Sequence, residues 1–325
     1  MTPDTIDMIR QILPETQAFP YYDGREDPWL LAERMRTDTA PVADLRAGPA
    51  APLLSRPLVQ PVVAACGGTL AQRDLTALAH ADRAIRLPGI SRAARPALDA
   101  IYSAPWADYT LSLAAWGTDR YWQYNQLSRR GGNLVLQLGF PSTHAQAFGR
   151  YFPPSQRGKY ETANHPIRTT GAPTLAWARL DLDLDTGHGL IEEVQSDWLR
   201  YVSRETLRMA ARGAQDRELR IHIAYEQALI ATYAKSWARV TLLAALMLMR
   251  DELGLSTIWM HQPGPGAALK QITGRPPPRS LYRDLPRRFG FAPTRDAPPF
   301  LEAPRRRALA LLRNRPEPLF WRLAL

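Results

Sequence analysis

The segment Glu192-Glu193-Val194-Gln195-Ser196-Asp197-Trp198 crowds carboxylates, an amide, a hydroxyl and an indole into one short stretch. Side chains alternate along a strand, so Glu193, Gln195 and Asp197 would share one face and Glu192, Val194 and Ser196 the other. One face would then offer a pocket two carboxylates and an amide, and paired carboxylates are common equipment for proton transfer. Strand ends in open sheets are also where ligands are gripped. The same residues admit a structural reading. Ser196 or Asp197 would cap the helix LRYVSRETLRMA that follows, and Trp198 would pack as core. Both readings stand at this point.

Lysine usage adds a candidate. The chain has 41 basic residues, of which Lys159, Lys235 and Lys270 are the lysines. Where arginine is the default, a lysine suggests that a compact or deprotonatable ammonium is wanted. Lys235, two residues before Trp237, is therefore taken as catalytic, against the plainer reading of a snorkelling surface lysine. Strand C-termini and the N-termini of succeeding helices open on the same sheet edge. Asp197 and Lys235 are thus expected to pair in a crevice walled by Trp198 and Trp237. His261, which closes the strand LSTIWMH, joins Gln195, Ser196, Trp198 and Trp237 as a binding residue.

Other chemistries lack support. His80, His144, His165, His188, His222 and His261 form no HxxxH or HxH pair, and Cys66 stands alone, so no metal site is expected. Asp181, Asp183, Asp185 and Glu192 imitate a calcium loop, but Thr186 occupies the position that needs glycine. No GxSxG, Walker loop or GxGxxG occurs.

The elements that must position these residues begin near Gly131-Gly132. NLVLQLGF (133–140) reads as a strand, and TLAWARLDLDLD (174–185), the turn DTGHG and LIEEV (190–194) read as an antiparallel hairpin. A long helical region over 199–253, broken near Gly213, leads to the strand 255–261 and a loop QPGPG (262–266). This order predicts a sheet domain of the α+β or α/β class, here taken as α+β with an α/β-like character. Before it, helices are expected near 3–13, 26–36, 70–85 and 93–104, with a loop over 40–62. The expected organisation is a mostly helical segment 1–128, a sheet-containing core 129–292 and a Pro/Arg-rich arm 293–325.

Apolar residues make up 45% of the 325, enough to bury a core. The run VTLLAALMLM (240–249) is too short to span a bilayer, and no leader is visible, so a soluble cytoplasmic protein is expected. Residues 275–325 hold twelve arginines against Asp284, Asp296, Glu302 and Glu317, most of the formal net charge of +10. Such a region suits phosphates or an acidic partner, although no ladder of aromatics interleaves the arginines.

IEEVQSDW is similar to the IEEIQSDW signature of a domain in large polyvalent proteins of bacteriophages and conjugative elements. NLVLQLGFP, HPIRTTGAPTLAWARLD, ATYAKSWARVTLLAALMLMRDELGLSTIWMHQPG and SLYRDLPRRFGF resemble its flanking segments, so the resemblance covers about residues 133–292. The order of elements also resembles the second half of a GNAT-type N-acetyltransferase. That implies a GNAT-like mixed or antiparallel sheet with flanking helices, and acyl-CoA as donor. It implies Tyr282 as general acid, to which the residues themselves add Glu193, Asp197 and Lys235 as catalytic candidates. Lys235, Trp237 and Arg239 stand where the glycines of the pyrophosphate loop belong, and bulky side chains there block close approach of phosphate to backbone. The resemblance implies an acyltransferase-like enzyme of phage or mobile-element type. The alternatives are a nucleic-acid-binding accessory protein using 275–325, or an interaction scaffold without catalysis.

Overall fold

The computed structural model describes residues 1–83, 87–117, 126–162, 165–167, 171–213, 217–272 and 278–325. The chain is α+β, built on an eight-stranded mixed sheet flanked by helices. It divides into two compact units. The first comprises 1–19, 108–286 and 292–323, and the second 20–107, 287–291 and 324–325. Neither boundary falls at 128/129 or 292/293, because strands outside the expected core belong to the same sheet.

In chain order the strands are β1 (Thr16–Tyr21), β2 (Thr39–Pro41), β3 (Thr69–Ala71), β4 (Ala107–Trp116), β5 (Asn133–Gly139), β6 (Thr174–Asp183), β7 (His188–Gln195), β8 (Thr257–His261), β9 (Ala292–Thr294) and β10 (Phe320–Ala324). The large sheet runs β1-β4-β5-β6-β7-β8-β10-β9. β4 through β7 are successively antiparallel, and β7 with β8 is a parallel pair. A parallel neighbour needs a crossover. Here the crossover is made of three helices, Asp197–Ala211, Arg217–Tyr233 and Trp237–Met247, the last packing on β6 and β7.

The expected hairpin is present as β6 and β7. Its turn uses Gly187 at a φ of 70°, a conformation that suits glycine, and the Thr186 hydroxyl donates to Asp183 at 2.6 Å. Leu180, Leu182 and Leu184 alternate with Asp181, Asp183 and Asp185, the pattern of a strand with one solvated face. Instead β6 is buried along nearly its whole length, and Asp181 is held inside by the Met1 ammonium at 3.0 Å and by Arg129 at 2.8 Å. The pairing of β6 with β7 shifts between Arg179 and Leu180. Arg179 faces Glu193 while Leu180 faces Ile191, which leaves Glu192 as the extra residue of a bulge.

Several expectations change. The segment 1–128 contributes β1 and β4 to the sheet as well as helices. The arm 293–325 contains β9 and β10, with β10 lying between β8 and β9. Its Leu301, Leu309, Leu312 and Phe320 are buried with Leu190 and Trp259, so apolar burial ties the arm into the core. QPGPG is not a loop: Pro263–Leu269 is helical, since proline is tolerated in a first turn. The stretch 40–62 holds the helix Val42–Ala47, and the helix expected over 70–85 is Gln72–Ala79, with 84 and 85 outside the described residues. The long helical region breaks a second time, at 234–236.

The second unit pairs β2 with β3 and packs the helix Glu26–Arg34 against Gln72–Ala79. Buried Glu26 accepts from Arg288 at 3.1 Å and from the Tyr21 hydroxyl at 3.2 Å.

Candidate functional site

The first unit contains a cavity of about 1030 Å³ at the C-terminal ends of β7 and β8. Glu193, Gln195, Ser196, Trp237, His261 and Tyr282 all line it. Ser196 is partly structural, because its hydroxyl caps the helix Asp197–Ala211 through the Leu199 N–H and donates to the Leu175 carbonyl at 2.6 Å. The capping expected of Ser196 is thus present, while Glu193 and Gln195 reach the cavity wall.

Asp197 lies just behind the wall, 4% exposed. It accepts from His165 Nδ1 at 2.7 Å, Gln195 Nε2 at 2.6 Å, Arg200 Nη2 at 2.6 Å and Trp177 Nε1 at 3.0 Å. Burial opposes its charge, but the hydrogen bonds from His165 and Trp177 and the charges of His165 and Arg200 outweigh burial and hold its carboxyl below the ordinary aspartate range. A carboxylate on Nδ1 fixes the imidazole tautomer and leaves Nε2 as a base. His165 Nε2 has no hydrogen-bond partner among the described residues, and the ring lines the cavity.

Lys235 is not part of this arrangement. It is exposed, it is absent from the cavity wall, and the charge beside Asp197 comes from Arg200 one helical turn away. The chain needs a second turn at 234–236, which carries the Lys235 side chain to the surface. Trp198 is not a wall either. Its ring is 1% exposed, and its N–H donates to the Tyr225 hydroxyl at 2.7 Å within an aromatic cluster of Phe140, His144, Phe148 and Tyr160.

Beneath the cavity, Glu192 is buried in the interior. It accepts from the Ser128 N–H at 2.9 Å, the Ser128 hydroxyl at 2.8 Å and His261 Nε2 at 3.0 Å, and Lys270 Nζ donates to its carbonyl at 2.9 Å. Full burial alone would raise its pKa. The His261 hydrogen bond and the charges of His261, Lys270 and Arg179 prevail and bring the carboxyl down to about 2. Burial lowers the His261 pKa, against the pull of the Glu192 carboxylate. Ser128, His261 and Glu192 do not form a hydrolase triad, because serine and carboxylate meet on the same nitrogen.

Glu193 pairs with Arg179 Nη2 at 2.5 Å on the cavity wall. The Tyr282 hydroxyl accepts the Val194 N–H at 3.4 Å and makes no other hydrogen bond among the described residues, so its own proton is free for a ligand. Burial pushes this phenol far up, and it stays protonated.

No family model, curated protein or solved structure matches this chain.

Sequence reasoning missed His165, Arg179, Arg200 and Lys270. His165 stands outside any element, in the stretch HPI, and only the fold brings it to Asp197. A signal did exist for Lys270, since the scarcity of lysine applies to it as to Lys235. Among the C-terminal arginines, Arg288 is engaged by Glu26, Arg305 by the Leu269 carbonyl, Arg313 by Glu302 and Arg295 by the Pro316 carbonyl. Much of that charge serves the fold. No described helix is long and apolar enough to cross a membrane.

Proposed function

We propose that the first unit is an acyltransferase-type enzyme that joins an acyl group from a thioester donor to an amine. The observation that carries this reading is the pairing on one cavity of a carboxylate-fixed base, His165 on Asp197, with a buried hydroxyl donor, Tyr282. No serine, threonine or cysteine hydroxyl or thiol is bonded to His165 among the described residues, which favours direct transfer between two bound substrates over a covalent intermediate. His165 Nε2 would take the proton of the attacking amine. Tyr282 would donate a hydrogen bond to the negative charge that develops on the reacting group. So high a pKa suits that role better than giving its proton to a thiolate, which revises the expectation of a general acid.

The parallel pair β7–β8 beside the antiparallel run from β4 to β7, with β10 inserted before β9, is in keeping with the GNAT-like order. The donor's phosphates would meet side chains instead of a glycine loop. Arg200, Ser203, Arg204 and Leu207 form the cavity face of the helix Asp197–Ala211, and Arg204 has no carboxylate partner among the described residues. Arginine pairs suit phosphate.

The test is calorimetric titration with CoA and acetyl-CoA, followed by thiol-release assays with an amine panel. Tyr282→Phe should lower kcat about a hundredfold or more while leaving CoA binding in place. Absence of both CoA binding and thiol release would remove the proposal.

A further inference from the structure

Lys270 is the lysine of the cavity. Lys159 and Lys235 are exposed, whereas Lys270 is 7% exposed and forms part of the cavity wall. The helix Pro263–Leu269 carries it there. The Lys270 N–H bonds the Gly266 carbonyl at 3.1 Å, and Gln271 then adopts a left-handed φ of 56° that reverses the chain. Gly266 is required for this seating, because a Cβ there would lie 2.6 Å from His261 Cβ.

The ammonium is lightly engaged. Nζ donates to the Glu192 carbonyl at 2.9 Å, its one hydrogen bond among the described residues, and lies 4.0 Å from the Glu192 carboxylate. An ammonium has three N–H donors, so most of that capacity is unused. Burial and the charge of Arg179 favour loss of its proton, against the pull of Glu192 and Glu193, and the balance lowers its pKa. An amine desolvated in this way is a nucleophile.

We propose that Lys270 is a self-acylation site, its Nζ accepting an acyl group from an activated thioester or ester held in the cavity. The ammonium first loses a proton to solvent. The neutral amine attacks the acyl carbonyl, the C–N bond forms and the C–S or C–O bond breaks. The leaving thiolate or alkoxide keeps the electron pair, and a proton departs from nitrogen to balance it. The product is an amide and a free thiol or alcohol. The amide has lost the charge that faced Glu192, and its acyl group occupies cavity space, so the modified protein should bind donor more weakly. The nature of the physiological donor rests on the proposed function; the reactivity of Lys270 does not.

The experiment treats the full chain with acetyl-CoA and, separately, with p-nitrophenyl acetate, and maps acetyl groups by peptide mass spectrometry. The expected result is acetylation of Lys270 at reagent levels that leave Lys159 and Lys235 unmodified, with loss of that label in Lys270→Arg. Labelling of Lys270 by the small ester but not by acetyl-CoA would support the reactive lysine and count against the CoA-type donor. If the exposed lysines are acetylated first, or Lys270 remains unmodified with both reagents, the inference is overturned.

Discussion

Acidification should destabilise the first unit through His144. This imidazole is 4% exposed, stacks on Phe140 with ring centres 3.6 Å apart, and contacts the hydroxyls of Tyr225 at 3.5 Å and Tyr233 at 3.4 Å. Burial lowers its pKa from 6.5 to about 4. The unfolded chain binds the proton first as pH falls, so stability present above the unfolded pKa is lost as pH drops through that window. The full difference is about 3 kcal/mol, of which about 2 kcal/mol is lost between about pH 7 and about pH 5. Urea unfolding of the wild type and of His144→Phe at those pH values isolates the contribution. Losses from other groups, His80 included, cancel in the difference. The variant lacks the titrating nitrogen, so its stability should fall by about 2 kcal/mol less than that of the wild type over the same range. Equal losses in the two proteins would show that His144 does not resist protonation in the fold, and the reasoning would fail.

Glu192→Leu should cost about 3–5 kcal/mol, because Lys270 and the Ser128 N–H would be stranded without their carboxylate; a denaturant midpoint close to that of the wild type would contradict the buried arrangement. Gly266→Ala should cost about 1–3 kcal/mol by overpacking against His261, read as a lower Tm, and an unchanged Tm would mean that the helix can move aside freely. Asp197→Asn should preserve the fold while abolishing the thiol release sought above, since an amide no longer fixes the His165 tautomer; full activity in that variant would exclude the dyad.

The site was legible where it is local. Strand alternation and a following helix put Glu193, Gln195, Ser196 and Asp197 at a strand end, and the fold keeps them there. The bulge was not legible, since nothing in IEEVQ shows which residue is extra, whereas alternation alone separates buried Glu192 from Glu193 on the cavity wall. Partners from distant segments, such as His165 for Asp197 and Ser128 for Glu192, follow from sheet order and leave no periodic mark. The hairpin was read correctly from alternation, but alternation overstated the solvation of Asp181, because tertiary partners can bury a charge that a strand pattern would expose. β1 and β4 went unread for a similar reason. TQAFPY and ADYTLSLAAW carry proline or alanine where strand propensity is weak, and sheet neighbours supply what propensity does not.

The placement of β10 has a consequence for biogenesis. β9 is synthesised before β10 yet bonds to it, and β10 also borders β8. Until Phe320–Ala324 emerges, the backbone of Thr257–His261 has an open edge, and the strand carrying His261 is the border of an unfinished sheet. Open edges of this kind recruit other chains. The nascent protein therefore completes the His261 side of its cavity only once β10 has been made, and truncation before β10 should yield aggregation in place of a smaller working unit.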